Sequence, residues 1–148
     1  MVRDEIKVIA RNKKASHDYF ILDTIEVGIS LYGTEIKSIR DTKVSINDAY
    51  VSAKGGQLSV INMHISPYKQ GNIFNHSETR DRVLLAHKKE IIKLETKVKL
   101  ESLTIIPLEL YLKRGKAKLL IGLCRGKKNY DKRESLKERD VRKDIKKF

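Results

Sequence analysis

Cysteine is almost missing from this chain: Cys124 stands alone among 148 residues. A single thiol excludes an internal disulfide framework and fits a reducing compartment, so a cytoplasmic protein is expected. Cys124 itself reads as a small buried apolar residue on a strand. No apolar run approaches the ~18 residues that a membrane-spanning helix needs, and the N-terminus lacks the apolar core of a signal peptide. No Gly-rich phosphate loop ending in Lys-Ser/Thr occurs. No nucleophile elbow places a Ser-His-Asp triad. The four histidines, His17, His64, His76 and His87, have no metal-ligand spacing and no supporting cysteine pair. Neither a catalytic residue nor a cofactor or metal site is expected.

Positive charge is abundant instead. Lys and Arg number 32 against 19 Asp and Glu, a formal net charge of +13. That balance implies a polyanionic partner, with a phosphate backbone ahead of an anionic membrane surface. The length and the 40% hydrophobic share suit one folded body with a sizeable core.

Alternating apolar and polar residues predict strands over 17–27, 34–39, 49–53, 58–65, 103–112 and 117–124, with a loose edge strand near 6–10. A bend or one helical turn is expected between Gly28 and Gly33. Ser45 reads as the N-cap of a short helical turn over 45–49. Gly55-Gly56-Gln57 spells the tripeptide with which release factors hydrolyse peptidyl-tRNA. Between two alternating runs, an ordinary hairpin turn is the stronger reading. Pro67 opens a loop to residue 79, and loops of that length are usually functional or mobile. After a brief apolar run over 82–86, the period changes to helical over about 87–100. There Ile91, Ile92, Leu94 and Val98 oppose Lys88, Lys89, Lys93 and Lys97. Pro107 inside its strand argues for an edge or a bulge, and 113–116 is a turn. The sum is a mostly β fold with flanking helices, a small antiparallel barrel. These runs do not separate an OB-type barrel from other small barrels.

Composition breaks at G-K-K-N-Y-D-K-R, residues 126–133. Residues 125–148 hold eleven Lys or Arg and five Asp or Glu, and beyond Tyr130 the large apolar residues are Leu136, Val141, Ile145 and Phe148. So thin a stripe predicts a basic tail disordered when free and helical on a partner. Tyr19, Tyr32, Tyr50, Tyr68 and Tyr111 are interleaved with basic residues and read mostly as core or girdle. Tyr130 has no core to join, and stacking on a base would be worth ~1–3 kcal/mol.

Four ordered blocks resemble the small protein B family, which binds transfer-messenger RNA. They are N-K-K-A-S-H-D-Y-F-I at 12–21; G-T-E-I-K-S-I-R at 33–40 with I-N-D-A-Y-V at 46–51; P-L-E-L-Y at 107–111; and G-K-K-N-Y-D-K-R at 126–133 with L-K-E-R at 136–139. The resemblance spans about residues 12–145. It implies an OB-type barrel over 1–125, helix included, and a tail over 126–148 that folds on the ribosome. It implies an adaptor that holds the tRNA-like domain of transfer-messenger RNA and brings it to bacterial ribosomes stalled on messages lacking a stop codon. The tail would enter the empty mRNA channel near the small-subunit decoding centre. By position, Asn12, Lys13, Glu26, Leu85, Lys118 and Arg125 would face RNA. A carboxylate such as Glu26 can do so by accepting base N–H groups or by orienting a neighbouring Lys. Gly126, Lys127, Lys128, Tyr130, Asp131, Lys132 and Arg133 would face the ribosome. Many members carry His in place of Tyr130, and both rings stack but only His titrates near neutral pH. Other members often run several residues past the position of Phe148, so either the tail has a shorter reach or the chain is cut short. A monomer is expected. The competing readings are a general RNA chaperone or ribosome-associated RNA-binding protein, and a Gly-Gly-Gln hydrolase.

Overall fold

Alternation of apolar and polar residues sets most of the elements. The computed structural model describes residues 6–68 and 76–127. In chain order these form β1 (Ile6–Arg11), α1 (Ala15–Asp18), β2 (Tyr19–Ile29), α2 (Gly33–Arg40), β3 (Val44–Ser45), β4 (Tyr50–Lys54), β5 (Gln57–Ile61), β6 (His64–Ile65), β7 (Arg82–Leu85), α3 (Lys88–Glu101), β8 (Thr104–Lys113) and β9 (Lys116–Gly126). The main sheet runs β1-β8-β4-β5-β7-β2-β9, and β9 pairs again with β8. β8, β4, β5, β7, β2 and β9 therefore close into a ring of antiparallel ladders. β1 and β4 share one edge of β8: Val51 meets Ile105, and β1 meets residues 109–113. This is the antiparallel barrel that the alternation predicts.

The inward positions fill the barrel. Val27 and Ile29, Leu58 and Val60, and Leu119, Ile121 and Leu123 all enter one buried cluster with Ile39, Met63 and Ile91. Cys124 is fully buried on β9, as expected of a small apolar strand residue, and burial pushes its thiol up to about 11. Gly55 and Gly56 form the two-residue β4–β5 turn at φ +62° and +77°, left-handed values that favour glycine. The turn accounts for both glycines. Pro107 sits at a bulge: the β8–β9 register shifts between Pro107 and Glu109. α3 begins where expected, with the His87 N–H donating to the Glu90 carboxylate at 3.2 Å.

Four expectations need correction. Residues 34–39 are not a strand but the middle of α2. Ile36 and Ile39 are three apart, which suits a helix, and the Glu35 carboxylate accepts the Tyr32 N–H at 2.7 Å across the first turn. Residues 45–49 form no helical turn: Ser45 pairs with His64 in a small β3–β6 sheet, and a tight turn follows. The run 58–65 is two strands, broken where Asn62 takes φ 63°. Ile29 extends β2 rather than starting a bend, and the strand begins at Tyr19 because α1 occupies 15–18. Of the expected loop at 67–79, residues 69–75 lie outside those described.

A buried ion cluster ties α2 to the barrel. Glu35 and Arg82 are both fully buried. The Glu35 carboxylate accepts from Arg82 Nε at 2.5 Å and from Arg80 Nη2 and Nε at 2.6 and 3.1 Å. The remaining Arg82 donors reach the carbonyls of Met63, Arg80, Ser77 and Glu78. All five guanidinium N–H groups are thereby used. Burial works against ionising Glu35, but the arginines and the Tyr32 N–H outweigh it and hold the carboxyl below its ordinary range.

Candidate nucleic-acid interface

Strand pairing brings distant residues into one line on the outside of the barrel. Leu85 on β7 faces Gly28 on β2, Gly28 faces Lys118 on β9, and Lys118 faces Tyr111 on β8. Directly paired residues share a face of the sheet. Glu26, two residues before Gly28, lies on that same face. The expected RNA residues Glu26, Leu85 and Lys118 are thus brought together, although 92 positions separate the first from the last.

The geometry around Glu26 is specific. The Tyr111 hydroxyl donates to Glu26 Oε2, a bond from β8 to β2 that spans the width of β9. Lys113 Nζ lies 3.6 Å from Oε1. The hydrogen bond from Tyr111, aided by Lys113 and Lys118, holds the Glu26 carboxyl below its ordinary range against the cost of burial. Burial, reinforced by Glu26, pushes the Tyr111 phenol up, so it stays a donor. Lys113 is thus a lysine neighbour of Glu26. Leu85 is 59% exposed. A Cβ added at Gly28 would meet the Leu85 side chain at 3.3 Å, so this glycine leaves room for Leu85 to lie against the strand.

Of the other expected residues, Asn12 and Lys13 lie between β1 and α1, and Arg125 and Gly126 lie at the far end of β9. Asn12 is buried, and its amide donates to the carbonyls of Pro107 and Ile46 at 3.0 and 3.4 Å while accepting the Lys14 N–H. It holds the β1–α1 corner in place and leaves the exposed Lys13 beside it. Arg125 pairs across the ladder with Phe20 and sits 4.0 Å from Glu101. Phe20, Ile21 and Leu22 are all exposed, an apolar patch at the β2 bulge. Lys127 Nζ lies 5.2 Å from the Phe20 ring centroid and donates to the Ser16 carbonyl, so Gly126 and Lys127 leave the barrel against α1. Lys128, Tyr130, Asp131, Lys132 and Arg133 lie outside the described residues.

Three of the histidines have partners within the protein. His76 Nε2 donates to the Ile65 carbonyl, which leaves Nδ1 for the Thr34 hydroxyl. His64 meets Glu78 and His17 meets Asp18. Sequence reasoning missed the link of Tyr111 to Glu26 and that of Lys127 to Phe20. The first joins residues 85 positions apart, and no local pattern signals it.

Residues 9–148 match the family described as SmpB protein. The chain belongs to the SmpB family. A relative from Enterococcus hirae, named SsrA-binding protein, is 54% identical over 145 residues, covering 98% of this chain and 94% of its own length. Relatives of the same name from Acetivibrio thermocellus and Streptococcus pneumoniae are 52% and 50% identical over the same shares. A solved SmpB-family chain, from a structure described as "tmRNA-SmpB: a journey to the center of the bacterial ribosome", superposes with a TM-score of 0.66. It is 45% identical, and the match covers 79% of this chain and 82% of that one.

Proposed function

We propose that this protein is an adaptor that binds the tRNA-like domain of transfer-messenger RNA and delivers it to stalled bacterial ribosomes. The observation that carries the reading is the convergence of Glu26, Leu85 and Lys118 on one outer face. A rigid sheet there presents a carboxylate, an apolar surface and lysines together. Specific RNA recognition needs that mixture: cations for phosphate, and apolar and hydrogen-bonding groups for unpaired bases. The SmpB-family membership and the relatives' names agree with it. The protein holds and positions RNA and takes no part in bond chemistry, and it acts in the cytoplasm as a monomer. Among the described residues no helix is long and apolar enough to cross a membrane. Asn12 contributes by shaping the corner that presents Lys13, and Arg125 extends the basic surface toward Lys127. The tail from Gly126, with Lys128, Tyr130, Asp131, Lys132 and Arg133, reaches the empty mRNA channel and the decoding centre.

The test is binding of the full chain to transfer-messenger RNA and to an ordinary tRNA across a salt series. A preference for the former that survives physiological salt is the expected result. Equal affinities that fall together with salt would mean that net charge alone drives binding, and would overturn the reading.

A further inference from the structure

We infer that Glu26 reads an unpaired guanine by its Watson–Crick edge, and that Tyr111 is the positioning residue that fixes the carboxylate for this task. The inference rests on the RNA-binding reading above and names the base that the site selects.

A carboxylate has about four lone-pair sites on two oxygens. In this protein each oxygen has a partner from the protein: Oε2 takes the Tyr111 hydroxyl and Oε1 faces Lys113 at 3.6 Å. The Lys113 contact is an ion pair beyond hydrogen-bond reach, so at least one lone-pair site remains on each oxygen. With Oε2 hydrogen-bonded and Oε1 facing a cation, the carboxylate is oriented before RNA arrives, which lowers the ordering cost of binding. Glu26 keeps 36% side-chain exposure, so the free lone pairs reach solvent. Among the four bases, only guanine offers two adjacent donors, N1–H and N2–H, that match two carboxylate oxygens side by side. Adenine, cytosine and uracil present one donor position on that edge. An ionised carboxylate anchored through Oε2 is therefore selective for guanine.

The surroundings fit a base lying flat. Gly28 is the next residue on this face and has no side chain, and Leu85 lies against it with more than half its surface open. An aliphatic surface takes a base face, while Lys118, paired with Gly28, is placed for the phosphate. Tyr111 is only 7% exposed and so makes little contact with RNA itself. Its effect passes through Glu26.

The experiment is footprinting of transfer-messenger RNA with the full chain, using kethoxal for the N1/N2 edge of guanine and dimethyl sulfate for adenine and cytosine. Affinity is measured in parallel for wild type, Glu26→Gln, Tyr111→Phe and the double variant. Both changes are nearly isosteric, and melting checks the fold. The expected result is an unpaired guanine shielded by wild type and released by either single variant, with dimethyl sulfate reactivity unchanged. Glu26→Gln should lose affinity roughly tenfold to a hundredfold. Tyr111→Phe should lose roughly threefold to tenfold alone, and nothing further in the Glu26→Gln background. Guanine shielding that persists in Glu26→Gln, or a change confined to adenine and cytosine, overturns the base assignment alone. Additive losses overturn the positioning role of Tyr111. A wild-type protein that leaves every nucleotide equally reactive overturns the RNA-binding reading as well.

Discussion

Replacing Glu35 by Gln keeps the shape of the side chain and removes its charge. Arg82, fully buried, then has no anion, because its other partners are the carbonyls of Met63, Arg80, Ser77 and Glu78. The amide also turns a donor toward at least one guanidinium N–H that formerly met an acceptor. Breaking a buried pair from one side costs about 3–5 kcal/mol. Set against a total stability of about 5–15 kcal/mol, that is a large fraction. At about 4 °C per kcal/mol for a domain of this size, the melting temperature should drop by roughly 10–20 °C. Replacing both partners, Glu35→Leu with Arg82→Met, should cost clearly less than the sum of the two single changes, since no fully buried charge is orphaned and Arg80, 23% exposed, still reaches water. Urea unfolding followed by circular dichroism measures wild type, Glu35→Gln, the two single changes and the double variant. A loss below about 1 kcal/mol in Glu35→Gln would show that backbone carbonyls suffice to hold the guanidinium, and would refute the view that the ion pair locks α2 to the barrel.

The same carboxyl sets an acid limit. Its folded value lies below the ordinary one, so its stabilisation is complete above the unfolded value of about 4.3 and is lost as pH falls through the folded value. Melting temperature should stay level from pH 7 to about 5, fall below about 4, and fall less steeply in Glu35→Gln. At Gly122 an added Cβ would meet Leu108 Cδ1 at 2.8 Å and Cys124 Sγ at 3.3 Å, so Gly122→Ala should destabilise by about 1–3 kcal/mol in the same assay. Gly56→Val should destabilise the β4–β5 turn by about 1–2 kcal/mol, because a β-branched residue is strained at φ +77°. Gln57→Ala should leave ribosome rescue in a cell-free translation assay unchanged, since the Gly-Gly-Gln segment is a turn; lost rescue would revive the hydrolase reading.

Local chemistry made part of this fold readable in advance. Gly55-Gly56 announces a hairpin, Pro107 announces a bulge, and the lysine-backed helix at 88–101 follows from its period. α2 misled because Glu35-Ile36-Lys37 alternates locally, although Ile36 and Ile39, three apart, would fall on opposite faces of a strand, and because a buried Glu35 looks polar and outward until Arg80 and Arg82 are placed beside it. The break at Asn62 is one left-handed residue inside an apolar run, too small a signal to divide a strand. For the interface, family resemblance supplied Glu26, Leu85 and Lys118, but their adjacency depends on which strands neighbour one another, a long-range fact. Tyr111 counted as one tyrosine among six until the β8–β9–β2 order put its hydroxyl on Glu26.

β9 has one more consequence. Both register shifts along it fall on its partners, at 21–23 of β2 and at 107–109 of β8. β9 itself runs unbroken from Lys116 to Gly126. It therefore works as a ruler between the Lys118 surface and the exit at Gly126, a span of about 27 Å at ~3.4 Å per residue. Inserting one residue in that span would turn everything beyond it to the opposite face, and inserting two would restore the face but lengthen the reach by about 7 Å. Descent can lengthen the turns of such a protein freely, but the residue count of this strand is heritable geometry.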